Sequence, residues 1–124
     1  MDDRRRRRVL VVEDEVLVAM MIEDTLQELG YDVVGPAYRL GAGLTALDGE
    51  PVDLAVLDVN LAGERSIPIA DRLAERGIPF VFATGYGKAG LMGAHPDAPV
   101  LRKPFSGEDI RVALARLLER QPQD

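Results

Sequence analysis

Short unbroken apolar runs alternate along this chain with stretches whose apolar residues recur every three or four positions. That alternation constrains the fold more than any other feature. Val9–Val12 is a continuous apolar run, the mark of a strand buried on both faces. Val18, Ile22, Leu26 and Leu29 then recur at helical spacing, and Gly30 is a natural stop. Asp32–Gly35 reads as a second, weaker strand. Leu40, Leu44 and Leu47 predict a helix near 39–48, which Gly41 and Gly43 weaken. Leu54–Leu57 is a third strand, and Ile69, Ala70, Leu73 and Ala74 form a helical stripe ending at Gly77. Phe80–Ala83 is a fourth strand, and Val100 with Leu101 a short fifth. Ser106, with Asp109 three residues on, predicts a capped start for the last helix, whose apolar face is Ile110, Leu114, Leu117 and Leu118. Five strands alternating with helices predict an α/β fold with a parallel sheet covered on both faces and right-handed crossovers.

Size and charge narrow the chemistry. With 124 residues the chain makes one domain, and at that length a core needs no disulfide or structural metal. It has no cysteine, which removes thiolate zinc sites and thiol nucleophiles and fits a reducing compartment. One histidine, His95, cannot build a multi-histidine metal site, and neither Ser66 nor Ser106 lies in a nucleophile elbow. The longest uncharged stretch is the eleven residues from Gly77 to Gly87, far short of the ~20 needed to span a bilayer. A cytoplasmic protein with no membrane partner is expected.

Charge is unevenly placed. The chain carries 15 basic and 21 acidic groups, but residues 1–8 hold five arginines and two aspartates, leaving 10 against 19 in the remainder. Such an acidic body, with only three tyrosines and three phenylalanines, argues against a DNA-binding domain. Residues 1–8 are expected to be a solvated basic arm, 9–120 the folded domain and 121–124 a short tail.

In a doubly wound sheet, ligands bind beyond the carboxyl ends of the strands, near the switch in strand order. The strand exits here carry Glu13 and Asp14 after the first, Asp58 after the third, Thr84 after the fourth and Lys103 after the fifth. In the order 2-1-3-4-5 these groups become neighbours. Carboxylates ~4 Å apart repel by about 4 kcal/mol per pair at an effective dielectric near 20, so the cluster calls for a cation. Oxygen-only ligands suit Mg²⁺ and not Zn²⁺. An acid cluster holding Mg²⁺ beside a lysine and a hydroxyl has the makings of a phosphoryl-transfer site. Taken singly, each residue is a weak signal, and the acid pair alone is better explained as charge at a helix start, the others as a turn residue, a cap or a surface charge; their joint placement is what signals a site.

The segments Val9-Leu-Val-Val-Glu13-Asp14-Glu15, Leu54-Ala-Val-Leu-Asp58-Val-Asn60-Leu61, Phe82-Ala-Thr84-Gly85 and Leu101-Arg-Lys103-Pro104-Phe105 resemble the response-regulator receiver domains of two-component signalling. The resemblance runs from Val9 to Arg120 and implies a flavodoxin-like three-layer sandwich. By that resemblance Asp58 is the phospho-acceptor and Asp14 a direct Mg²⁺ ligand. Glu13 holds the metal through water, and Asn60 lends its backbone carbonyl. Thr84 and Lys103 contact the phosphoryl oxygens, and the Lys103–Pro104 bond is cis. Receivers commonly carry an aromatic switch residue three positions before the lysine; here it is Val100. Pro79-Phe-Val-Phe-Ala-Thr-Gly-Tyr86 is similar instead to a P-F-x-F-A-T-G-Y subgroup of stand-alone receivers that work with sensor histidine kinases of the HWE type. Tyr86 is the substitute switch. The four glycines of 85–93 predict a short, frayed fourth helix.

The resemblance implies a signalling domain that catalyses only its own phosphorylation and dephosphorylation. With no output domain after Arg120, it acts as a monomer or weak dimer through protein contacts, or as a phosphate sink or shuttle. Two enzyme readings compete. Gly85-Tyr-Gly87-Lys-Ala-Gly90 spells the dinucleotide fingerprint, but it follows the fourth strand and no ribose-binding acid ends the next. A haloacid-dehalogenase-like phosphatase also uses Asp, Thr, Lys and Mg²⁺. Its nucleophile follows the first strand, with an acid two residues later where this chain has Asn60. His95 reads as an ordinary loop residue with no assigned role.

Overall fold

A computed structural model describes residues 6–85, 91 and 93–120. Among these residues seven strands and four helices follow in the order β1 (Arg8–Val12), α1 (Val16–Glu28), β2 (Asp32–Ala37), α2 (Leu40–Gly49), β3 (Leu54–Asp58), β4 (Asn60–Leu61), β5 (Glu64–Arg65), α3 (Ile67–Glu75), β6 (Phe80–Thr84), β7 (Val100–Arg102) and α4 (Gly107–Arg120). Five of the strands form one parallel sheet in the order β2-β1-β3-β6-β7, the expected 2-1-3-4-5 arrangement.

The unbroken apolar runs divide their side chains between two cores because successive residues of a strand face opposite ways. Val9, Val11, Val56 and Val81 point to one face and pack with Ile22 and Leu26 of α1 and with Ile110 and Leu114 of α4. Leu10, Val12, Leu57 and Phe82 point to the other and meet Leu47 of α2 and Ile69 and Leu73 of α3. Each fully buried Leu, Ile or Phe contributes about 1.5–3 kcal/mol. A slip of one residue in β1 would exchange the two faces, so the register is firmly set by packing.

Local signals end the helices as expected. Gly30 follows α1 at φ +94°, with its N–H on the Gln27 carbonyl and that of Tyr31 on Leu26. At the start of α4, Ser106 N–H donates to Asp109 Oδ2 at 2.9 Å and Asp109 N–H to Ser106 Oγ at 3.1 Å, a reciprocal capping box. The Lys103–Pro104 bond is cis.

Four boundaries or roles differ from the sequence reading. Arg8 opens β1 instead of closing the basic arm, because Asp53 accepts its N–H at 2.8 Å and Glu50 pairs with its guanidinium at 2.6 Å. The second strand runs on past Pro36 to Ala37, which pairs with Val12 and accepts the Glu13 N–H. Gly43, read as a weak point of α2, is where that helix packs tightly on α3 and β1: a Cβ there would lie 2.7 Å from Ile69 Cδ1 and 3.3 Å from Val12 Cγ2. Helix α2 forms across it because packing on the core outweighs glycine's intrinsic penalty. The hairpin of β4 and β5 lies outside the sequence reading, since two-residue strands have no readable period.

Candidate functional site

Parallel strands place all their carboxyl ends at one edge of the sheet. Glu13 and Asp14 leave β1, Asp58 is the last residue of β3, Thr84 the last of β6, and Lys103 follows β7. The switch in strand order falls between β1, which continues to β2 on one side, and β3 on the other. The acids therefore face one another across that point. Carboxylate oxygens of Glu13, Asp14 and Asp58 all lie within 4.8 Å of one another, close enough to hold one metal ion.

Burial makes this cluster costly. Glu13 is 1% exposed and Asp58 5%. Glu13 Oε2 accepts the Glu15 N–H at 3.1 Å and the Lys103 ammonium at 3.2 Å, while its Oε1 is buried with no hydrogen-bond partner among the described residues. Asp14 Oδ2 accepts the Ala62 N–H at 3.2 Å. That bond comes from the turn between β4 and β5, where Ala62 at φ +54° and Gly63 at φ +94° fold the chain back over the acids. Asn60 Oδ1 accepts the Gly63 N–H at 2.9 Å and steadies the same turn.

The protonation pattern follows from this crowding. Burial, then the neighbouring Asp14 and Glu13, pushes the Asp58 carboxyl up to about 8, with Lys103 opposing. Burial also raises Asp14, but its hydrogen bonds with Asp58 and the Ala62 N–H more than offset this and hold it below the usual carboxylate range. Burial and neighbouring charge thus favour the neutral form on Asp58, not on Asp14. For Lys103, burial disfavours the charge, but Glu15, Asp58 and Glu13 outweigh it and raise its pKa, keeping it an ammonium at any physiological pH. A protonated acid, an orphaned carboxylate oxygen and an oxygen-only donor set are what a hard divalent cation would relieve, so the residues fit one.

The structure brings together Glu13, Asp14, Asp58 and Lys103, with Thr84 at the adjoining strand end, buried, its carbonyl accepting the Lys103 N–H at 2.9 Å. Tyr86 and most of 85–93 lie outside the described residues, as do Met1–Arg5 and 121–124. His95 is held elsewhere, beside the first residue of β6. Its ring meets Phe80 edge-on at 5.4 Å and its Nε2 lies 2.7 Å from Asp71 Oδ1. The sequence reading missed two participants. One is the Ala62 N–H, for which the Ala-Gly turn pair was the available signal. The other is Glu15, whose carboxylate lies 2.9 Å from Lys103 Nζ.

A doubly wound α/β domain of order 2-1-3-4-5, with acids and a lysine gathered at its switch point, is the class that fold and site define. Residues 9–115 match the family model described as the response regulator receiver domain, and the chain belongs to that family. In solution structure, SdrG from Sphingomonas melonis is similar at 45% identity and a TM-score of 0.81, over 91% of this chain and 97% of SdrG. The receiver domain of PhyR from Erythrobacter litoralis is 30% identical, with a TM-score of 0.85 over 96% of this chain and 95% of that domain. Among curated relatives, the transcriptional regulatory protein PdtaR of Mycobacterium tuberculosis is 33% identical over 92% of this chain. The chain spans 58% of PdtaR, and 43% of the phyllosphere-induced regulator PhyR of Methylorubrum extorquens, which is 31% identical. Membership of this family sets aside the dinucleotide and dehalogenase readings. Among the described residues no helix is long and apolar enough to cross a membrane.

Proposed function

We propose that this domain accepts a phosphoryl group on Asp58 from the phosphohistidine of a sensor histidine kinase or phosphotransfer protein, in a Mg²⁺-dependent reaction. The observation that carries the reading is the Asp58 carboxylate itself. It ends β3 inside the acid cluster, buried, with Lys103 Nζ 3.5 Å from its Oδ2. Asp14 and Asp58 would hold Mg²⁺ directly, with Glu13 through water and the Asn60 carbonyl as a further ligand; bound there, it would supply positive charge that favours the ionised form of Asp58 and offsets the charge of the phosphoryl oxygens.

The remaining chemistry belongs to side chains of this chain. An Asp58 oxygen forms the new O–P bond as the N–P bond of the phosphohistidine breaks, and the imidazole leaves with the bonding pair. Lys103 and the Thr84 hydroxyl stabilise the charge on the transferring oxygens, a role fixed donors perform best in a partly dehydrated site. Tyr86 follows the Thr84-Gly85 pair and is the residue through which a shift of Thr84 would be passed on. The Pro79–Tyr86 motif supports a sensor kinase of the HWE type and a cytoplasmic site of action.

Radiolabelled phosphodonor with Mg²⁺ should place an acid-labile phosphate on the wild-type protein and none on Asp58→Asn, with unchanged circular dichroism. Undiminished labelling of that variant would remove Asp58 from the role.

A further inference from the structure

Lys103 stands among three carboxylates and divides its ammonium unequally. Glu15 Oε1 is nearest at 2.9 Å, Glu13 Oε2 is at 3.2 Å, and Asp58 Oδ2 is at 3.5 Å. Good N–H···O bonds fall between about 2.7 and 3.2 Å. The ammonium is therefore bonded to the two glutamates and stands off Asp58.

Among the described residues the Glu15 carboxylate has no other hydrogen bond or ion pair. Glu15 is the N-cap residue of α1 yet makes no side-chain capping bond, and its side chain is 60% exposed. Burial does not hold it in place. Its backbone is anchored at both ends, with its N–H on Glu13 Oε2 at 3.1 Å and its carbonyl accepting the Ala19 N–H in the first turn of the helix at 2.9 Å. A fixed backbone thus presents a solvent-facing carboxylate to the lysine of the cluster.

We propose that Glu15 is a positioning residue that restrains Lys103 in the unmodified protein, so that the ammonium must leave it to engage a phosphoryl group on Asp58. This rests on the reading of Asp58 as acceptor. Glu15 then sets how readily the domain is phosphorylated without touching the reacting atoms. Its contact is strong enough to bias the lysine and exposed enough to break, which suits a restraint released once per turnover.

Removing the contact should speed Asp58 labelling about two- to five-fold, the range a partly exposed ion pair can hold back. The alternative is that Glu15 acts only through its charge, by repelling anionic donors. Two variants separate these. E15Q removes the charge and so the ion pair, leaving only a neutral amide oxygen to face Lys103; E15D keeps the charge but is one methylene too short for the same contact. Labelling is measured with acetyl phosphate and with phosphoramidate, which differ in charge, at fixed Mg²⁺ and ionic strength. Both variants should gain by the same factor with both donors.

A second readout needs no metal and no phosphorylation. The chain has only two lysines, Lys88 and Lys103, so ¹⁵N-lysine labelling with a Lys88→Arg control assigns the Lys103 ammonium resonance. That resonance should shift, and its protons should exchange faster with water, in metal-free E15Q and E15D. Wild-type labelling rates in E15D, slower labelling in E15Q, or an unmoved Lys103 resonance overturns the proposal while leaving the acceptor role of Asp58 intact. Failure of every protein to label, wild type included, overturns the acceptor reading and this one with it.

Discussion

Replacing Asp58 by asparagine should stabilise the metal-free domain. Asp58 is raised from its ordinary 3.8 to about 8, first by burial and then by Asp14 and Glu13. At pH 7 the folded chain keeps a proton that the unfolded chain releases. Each pKa unit is ~1.4 kcal/mol, so over that interval the penalty approaches about 4 kcal/mol. Solvent reaches the open rim of the site, and the lowered Asp14 returns part of the loss, so about half of this, ~2 kcal/mol, should survive in measured stability. The asparagine amide is neutral at every pH and escapes the penalty, while Lys103 keeps Glu13 and Glu15 as partners. The sign follows from linkage. A raised carboxyl leaves the fold most stable below the unfolded value near 4 and erodes it as pH climbs toward 8. The advantage of Asp58→Asn should therefore be about 2 kcal/mol at pH 7, or roughly 6–10 °C in Tm, and below about 1 kcal/mol at pH 5. Urea titrations in EDTA at pH 5, 6, 7 and 8 measure it, and Mg²⁺ should narrow the gap by restoring the wild type. A variant no more stable than wild type at pH 7, or a gap that does not shrink on acidification, would refute the reasoning.

Two further outcomes test other parts of the molecule. Asp14→Ala should weaken Mg²⁺ binding by a larger factor than Glu13→Ala, because only Asp14 is proposed as a direct ligand; calorimetric titration of each variant decides it, and equal losses would contradict the roles. Gly43→Ala should destabilise the fold by about 1–3 kcal/mol, since its Cβ would meet Ile69 and Val12. Gly41→Ala, with nothing within 4 Å of its Cβ, should stabilise it by about 0.4–1 kcal/mol, and chemical denaturation of the two side by side reads the contrast.

Much of this protein is legible along the chain because its causes are local. Val9–Val12, Leu54–Leu57 and Phe80–Ala83 announce buried strands by being apolar without interruption. Gly30 ends a helix through its own φ, and Ser106 with Asp109 starts one through a bond spanning three residues. Once those runs are strands of a doubly wound sheet, Glu13, Asp14, Asp58 and Lys103 must converge, since parallel strands share one carboxyl edge.

What the tertiary structure alone decided are contacts between groups far apart in sequence. Whether Gly43 is a helix weakness or a packing necessity depends on Ile69 reaching it from α3. The Ala62 N–H reaches Asp14 only because a two-residue hairpin folds back over β1, and strands that short carry no pattern. Glu15 reads in sequence as one more acid at a helix start; only the meeting of α1 with the end of β7 makes it the nearest partner of Lys103. The proton held by Asp58 is likewise a property of the cluster, because burial and neighbouring charge, not residue type, set a carboxyl's pKa.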